Sequence, residues 1–321
     1  MTHQTTDPNA PAQTTRLQRV PWLAVALFVG LAYGLAWLVT MPLWQADPAA
    51  ASTPLLAGLL APVMMLTPGI AALVVVFLAR TPRTARARFL GLWPLRPAKR
   101  VVWMTVAALF GTLAIGFVTV GVAALAGWVT LDLVNFSGFA ALNEAALPDG
   151  MDPGILPPPA LLIAIQLAML PLGAVLNSLL ALGEELGWRG WLLPALRPLG
   201  TWPALALSGA IWGVWHAPLT LLGHNYGLFD WRGVALMTVN CVLWGVLFGW
   251  LRLRTGSVWP AVFAHGALNA VGNVTLLFVA AGGELRPELA SVVGAAGWIV
   301  VAVVIAVLAL TRQFAKQPEL S

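Results

Sequence analysis

Residues 101–127 read VVWMTVAALFGTLAIGFVTVGVAALAG, a run without one charged side chain. At 1.5 Å per residue a helix of this length spans the roughly 30 Å hydrocarbon layer of a bilayer. Directly before it, within residues 80–100, stand Arg80, Arg83, Arg86, Arg88, Arg96, Lys99 and Arg100. An apolar run closed on one side by clustered arginine is the pattern of a transmembrane helix anchored at a cytoplasmic surface. Seven further runs of the same kind, at about 22–40, 55–79, 160–183, 203–222, 233–251, 258–280 and 290–310, predict an all-α, polytopic membrane helical bundle of about eight helices.

Bulk composition agrees. Of 321 residues 60% are hydrophobic and 9% charged, with a mean hydropathy of +0.85. A water-soluble domain carries about 25% charged residues. If eight helices alternate, Arg232 and Arg286 are the only two of the seventeen basic residues outside the arginine-rich side. That side therefore reads as cytoplasmic, with both termini on it, in a bacterial inner (plasma) membrane. The net charge of +5 is spent on membrane orientation and contact with membrane lipids, so no nucleic acid is expected as a partner.

The expected organisation is a disordered cytoplasmic arm at 1–21, a transmembrane bundle at 22–312 and a cytoplasmic tail at 313–321. The loop 80–100, with Trp93 among its arginines, suits anionic headgroups. The loop 128–159 suggests a short amphipathic helix through Phe136 and Phe139. Cys241, the single cysteine, excludes a disulfide framework and reads as a small buried hydrophobe.

Ionisable side chains inside such a bundle are costly and point to function. Three clusters stand out. Glu184, Glu185 and Arg189 occur in GEELGWR, where Glu185 and Arg189 share a helix face at i, i+4 and Glu184 points about 100° away. His216 follows Trp212 by four residues, and His265 precedes Asn269 by four. A carboxylate and a histidine suffice to activate water, and a second histidine with an amide can stabilise an oxyanion. Glu184, His216 and His265 would equally suit a zinc ion.

These clusters resemble the CPBP intramembrane proteases, the CAAX-processing and bacteriocin-processing family that includes type II CAAX prenyl endopeptidases. The family pattern is Glu-Glu-x-x-x-Arg, then Phe-x-x-x-His, then His-x-x-x-Asn; here Trp212 stands in the phenylalanine position. The resemblance covers about residues 160–275. It implies a conical cavity open to the cytosol, in which Glu184 and His216 activate water, His265 and Asn269 hold the oxyanion, and Glu185 and Arg189 support them. The implied substrate is a membrane-associated or lipidated peptide or protein. A proton-coupled transporter and a catalytically silent scaffold or immunity protein are the alternatives. Other intramembrane protease signatures are absent: there is no His-Glu-x-x-His, and Ser208-Gly209 lacks the preceding glycine of a rhomboid serine site.

One expectation conflicts with simple geometry. A straight span at 160–183 puts Glu184 near the cytoplasmic surface, whereas His216, counted from Pro203, comes out roughly 20 Å deep. The two meet only if the fourth span starts outside the membrane, tilts, or kinks at Pro171.

Overall fold

The computed structural model describes residues 17–148 and 150–317. Most of the expected arm, residues 1–16, and the last four residues lie outside the described part. Among the described residues there is one isolated antiparallel bridge, Leu131 with Val279, and no strand; everything else regular is helical. The helices in chain order are α1 (Trp22–Gln45), α2 (Thr53–Met64), α3 (Thr67–Phe77), α4 (Arg86–Phe89), α5 (Ala98–Leu125), α6 (Ser137–Ala145) and α7 (Pro159–Glu185). They continue with α8 (Leu193–Leu196), α9 (Thr201–Trp215), α10 (Ala217–Thr220), α11 (Trp231–Thr255), α12 (Trp259–Val271), α13 (Pro287–Ala290) and α14 (Ala295–Leu310).

Among the described residues six segments are long and apolar enough to cross a membrane: 22–45, 53–77, 98–125, 159–199, 231–255 and 287–310. Their outer faces show why. Leu23, Leu38, Leu55, Val118, Leu125, Leu179 and Val303 are all more than half exposed. Such a belt faces acyl chains, because soluble proteins rarely expose contiguous apolar surface beyond a few hundred Å².

The expected fifth and seventh spans are the exceptions. α9 has 15 residues and α12 has 13, lengths of about 22 and 20 Å. Each is followed by a break and a short second piece, α10 after His216 and the 3₁₀ turn Val274–Leu277 after Asn273. α12 is buried on nearly all sides and α9 on one face, and Pro218 at one break and Val274 and Thr275 at the other are buried in protein, the setting in which broken helices are tolerated at membrane depth.

Packing relies on small residues that let backbones approach. Gly266 of α12 rests on Ala174 and Ser178 of α7, Gly116 of α5 on Val271, and Gly213 of α9 on the backbone of Thr238 in α11. A Cβ on Gly183 would meet the Met65 carbonyl oxygen at 2.8 Å, at the break between α2 and α3. The α11 termini are capped on both sides. Asp230 accepts from the Arg232 amide at 2.8 Å, and Gly256 ends the helix in the left-handed region at φ 70°.

The two ends of the bundle differ in charge. At one end Arg252 donates to the carbonyls of Phe89 and Arg189, and Arg254 to that of Lys316. At the other, Asp132 and Ala280 exchange backbone bonds with Phe278 and Thr130, and α6 folds over this end with Phe139 buried and Leu142 exposed. The amphipathic helix expected in 128–159 is present as α6.

Candidate active site

α7 does not end at the expected boundary. It passes Pro171 and Glu185 and continues as a π-helical turn, Leu186–Leu192, then through α8 to Leu199. The charged motif looked like a membrane boundary because charge normally marks one, but here the charges are paired and the chain stays in the bundle. Glu184 therefore lies inside the protein, with Trp188 and Trp191 beyond it packed on Phe28 of α1. Phe28 is six residues from Trp22, roughly 9 Å along α1 from its arginine-rich end. The depth conflict between Glu184 and His216 is removed by this continuation.

The π turn is shaped by close approach. A Cβ on Gly187 would fall 2.5 Å from Cβ of Pro68, so α3 fits against bare backbone. A wider turn also rotates the following side chains relative to an α-helix, a device frequent at functional sites. Trp188, Arg189, Trp191 and Leu192 are all fully or almost fully buried.

The two carboxylates are held by contacts from three helices. Glu184 Oε2 accepts from the indole N–H of Trp212 at 2.6 Å and of Trp188 at 3.3 Å. Glu185 Oε1 accepts from Arg189 at 2.8 Å and pairs with His265 Nδ1 at 2.8 Å; its Oε2 has no hydrogen-bond partner. His265 Nε2 lies 3.9 Å from Glu184 Oε1. One imidazole thus bridges the two adjacent carboxylates. The Arg189 guanidinium stacks on the Trp212 ring at 4.2 Å and on Phe248 at 5.2 Å. Phe248 in turn stacks on His265 at 5.6 Å.

His216 caps α9, and its Nδ1 sits 3.0 Å from the Trp212 carbonyl oxygen. A carbonyl only accepts, so Nδ1 carries the proton and Nε2 keeps the lone pair in the neutral ring. Trp212 therefore holds both groups, Glu184 by its side chain and His216 by its main chain. Glu184, His216, His265 and Asn269 all line one cavity of about 550 Å³, with Cys241, Asn240 and Asn273 in the same wall.

Sequence reasoning missed two hydrogen-bond donors. Trp188 stands at no motif position, and Trp212 is marked only as the residue in the phenylalanine position. The signal was available, since Trp188 lies i+4 from Glu184 on its own helix. No signal pointed to Phe248. Glu185 also carries more than expected, being bonded to both Arg189 and His265.

Zinc fits poorly. Among the described residues no three His, Cys, Asp or Glu side chains converge as a metal site. Of the three candidate ligands, Glu184 already accepts two indole bonds and His265 Nδ1 is taken by Glu185.

Comparison with known proteins points to a family. Residues 164–271 match the type II CAAX prenyl endopeptidase Rce1-like family. All six motif residues fall within the matched segment. The chain is also similar to the CAAX prenyl protease 2 of Methanococcus maripaludis, at 30% identity over 93 residues. That alignment covers 27% of this chain and 34% of the relative, so it spans only about a third of the relative's length. The Rce1-like region holds α9, α11, α12 and nearly all of α7, with the π turn between α7 and α9; α1 to α6, the arginine-rich loop and α14 lie outside it.

Proposed function

We propose that this chain is an intramembrane endopeptidase of the CAAX-protease type, in a bacterial inner membrane with the arginine-rich end cytoplasmic. The observation that carries the reading is the convergence of Glu184, His216, His265 and Asn269 on one cavity inside the bundle. The family match and the relative's printed name support it.

Water held between Glu184 and His216 would lose a proton to this pair as it attacks the scissile carbonyl. The developing oxyanion would be met by Asn269 and by His265, which its bond to Glu185 fixes before substrate arrives, the arrangement that gives such a donor most effect. Glu185 and Arg189 hold His265 and balance charge. Protonation of the leaving amine by Glu184 would complete the cycle. No step is routed through a metal. A membrane-anchored substrate, prenylated in the family's reading, suits a site reached within a bilayer. A transport path is disfavoured because Trp188, Trp191 and Arg252 are fully buried toward the arginine-rich end.

The test is terminal proteomics on membranes expressing wild type or Glu184→Gln. General-base loss should lower turnover on the order of 100-fold or more, so new termini should appear with wild type and not with the variant. Identical terminal peptides in both would sink the reading.

A further inference from the structure

α11 turns one stripe of side chains toward the cavity. Met237, Asn240 and Cys241 line its wall at i, i+3 and i+4. Trp244, one turn beyond Asn240, is anchored by an indole bond to the Val292 carbonyl at 3.4 Å. Cys241 Sγ lies 3.8 Å from His216 Nδ1, so Asn240 stands next in sequence to the residue through which α11 meets that histidine. Gly209 and Gly213 of α9 press on the backbone of Cys241, Val242 and Thr238. This close packing fixes the register of the stripe against the helix that ends in His216.

Asn240 is 3% exposed. A side-chain amide buried to that degree normally has a partner at both ends, because a polar atom taken out of water and left alone loses the hydrogen bond that water gave it. Its Nδ2 donates to Met237 Sδ at 3.7 Å, and a thioether is a weak acceptor. Its Oδ1 has no partner. Other polar groups of the wall are satisfied within the fold: Asn177 donates to the Gly173 carbonyl, Ser291 to that of Pro287 and Thr275 to that of Ala290. Among the described residues that line the cavity, Asn240 Oδ1 is the buried side-chain polar atom left over. Packing alone would be served better by leucine or alanine, neither of which strands an acceptor.

A carbonyl oxygen only accepts, so what completes Asn240 is a donor that enters with a ligand. On the proteolytic reading, on which this inference rests, that ligand is a stretch of polypeptide. Its main-chain N–H groups lose water on entering a cavity walled by helices, and each then needs an acceptor. The carboxylate oxygens Glu184 Oε2 and Glu185 Oε1 are already engaged, the first by two indoles and the second by Arg189 and His265. We propose that Asn240 Oδ1 accepts a main-chain N–H of the bound polypeptide beside the scissile bond, and so holds that chain in register with His216 and Glu184. Asn240 is thereby a substrate-binding residue that recognises backbone rather than side chain, and it takes no part in proton transfer.

A cycle of enzyme and substrate variants tests this. The peptide, with its membrane anchor, is copied from the residues around a terminus that wild type generates and Glu184→Gln does not. A depsipeptide series then replaces each flanking main-chain N–H in turn by an ester oxygen, leaving the cleaved bond an amide. At one position the ester should lower wild-type kcat/KM about tenfold, roughly the effect of one hydrogen bond. Asn240→Leu should lower kcat/KM on the all-amide peptide by a similar factor, and that one ester should cost it nothing further. Without peptide, Asn240→Leu should melt at or above wild type by tryptophan fluorescence, which a structural role for Asn240 would reverse. Asn240→Ala, smaller than the residue it replaces, gives both readings if leucine is too large for the wall. Equal kcat/KM in wild type and variants, an ester penalty that persists in the variants at every position, or a lowered melting point in both variants overturns the inference. Absence of any terminus that distinguishes wild type from Glu184→Gln overturns the proteolytic reading and this inference together. A peptide that is cleaved but shows no coupling to Asn240 overturns this inference alone.

Discussion

Trp212 decides whether the buried carboxylate of Glu184 has a strong donor. Its 2.6 Å indole bond is one that phenylalanine, the residue of the family pattern, does not make. Trp212→Phe keeps the ring over Arg189 and beside His265 but deprives Glu184 of that donor, at a cost of about 1–3 kcal/mol for a buried group left short of a partner. We expect a folded variant with kcat lowered by roughly tenfold and KM little changed, read on a membrane-anchored peptide substrate in detergent; unchanged kcat would mean that Trp188 alone fixes Glu184. Arg189→Met is a harsher case. It strands Glu185 next to Glu184 without its guanidinium, and breaking a buried pair from one side costs about 3–5 kcal/mol. The expected result is a large drop in thermal midpoint by tryptophan fluorescence. The identity of the six motif residues was legible in the sequence because isolated polar groups in apolar runs are rare. Their hydrogen-bond partners were less so: indole donors look like ordinary apolar residues until a carboxylate is placed beside them.

At the scale of elements, hydropathy located the apolar runs but not the ends of the helices. The Glu184–Arg189 motif reads as a boundary because unpaired charge would end a span; the pairing of Glu185 with Arg189 and His265 lets the chain run on through the π turn. Similarly, α9 and α12 look like full spans because averaging over a window passes across the breaks after His216 and Asn273. The π turn makes its own prediction. Gly187→Ala places a methyl 2.5 Å from Pro68 Cβ and 2.7 Å from its carbonyl carbon, so α3 must move away from the helix that carries Glu184. The variant should melt earlier and lose activity together. Gly121→Ala in α5, with nothing within 4 Å of the new methyl, should be neutral or stabilising by up to about 1 kcal/mol, since helical glycine costs that much relative to alanine. Equal melting of the two variants would show that the α3 contact does not constrain the site. In the loop before α6, Asp132 accepts the amides of Val134, Asn135 and Ser137. Bonding to Ser137 and these amides holds its carboxyl well below the usual range. A depressed carboxyl contributes its stability above its unfolded value of about 4 and loses it as pH falls toward the folded value. Protection factors of the α6 amides, corrected for the intrinsic exchange rate, should therefore fall below about pH 4 in wild type and already be low at neutral pH in Asp132→Ala.

For the whole molecule, charge is segregated while apolar surface is not, and this asymmetry is what gives an otherwise uniform belt a direction. Acyl chains would touch both ends of the belt alike, but anionic headgroups would distinguish the arginine-rich end, where α4 and Trp93, 66% exposed, project beside Arg83 and Arg88. Both arginines are exposed, so replacing them removes charge without opening the core. Each basic residue near an anionic surface contributes about 1 kcal/mol, and a double Arg83→Gln, Arg88→Gln variant should accordingly retain anionic lipid more weakly, roughly 30-fold if the two contributions add. Native mass spectrometry of protein extracted from mixed anionic and zwitterionic membranes reads this directly, as fewer anionic lipids held at a given collision energy with zwitterionic lipid unchanged. Equal retention in both proteins would mean that the loop 80–100 does not dock on headgroups. The direction assigned to the bundle would then rest on the basic residues of the remaining connections alone.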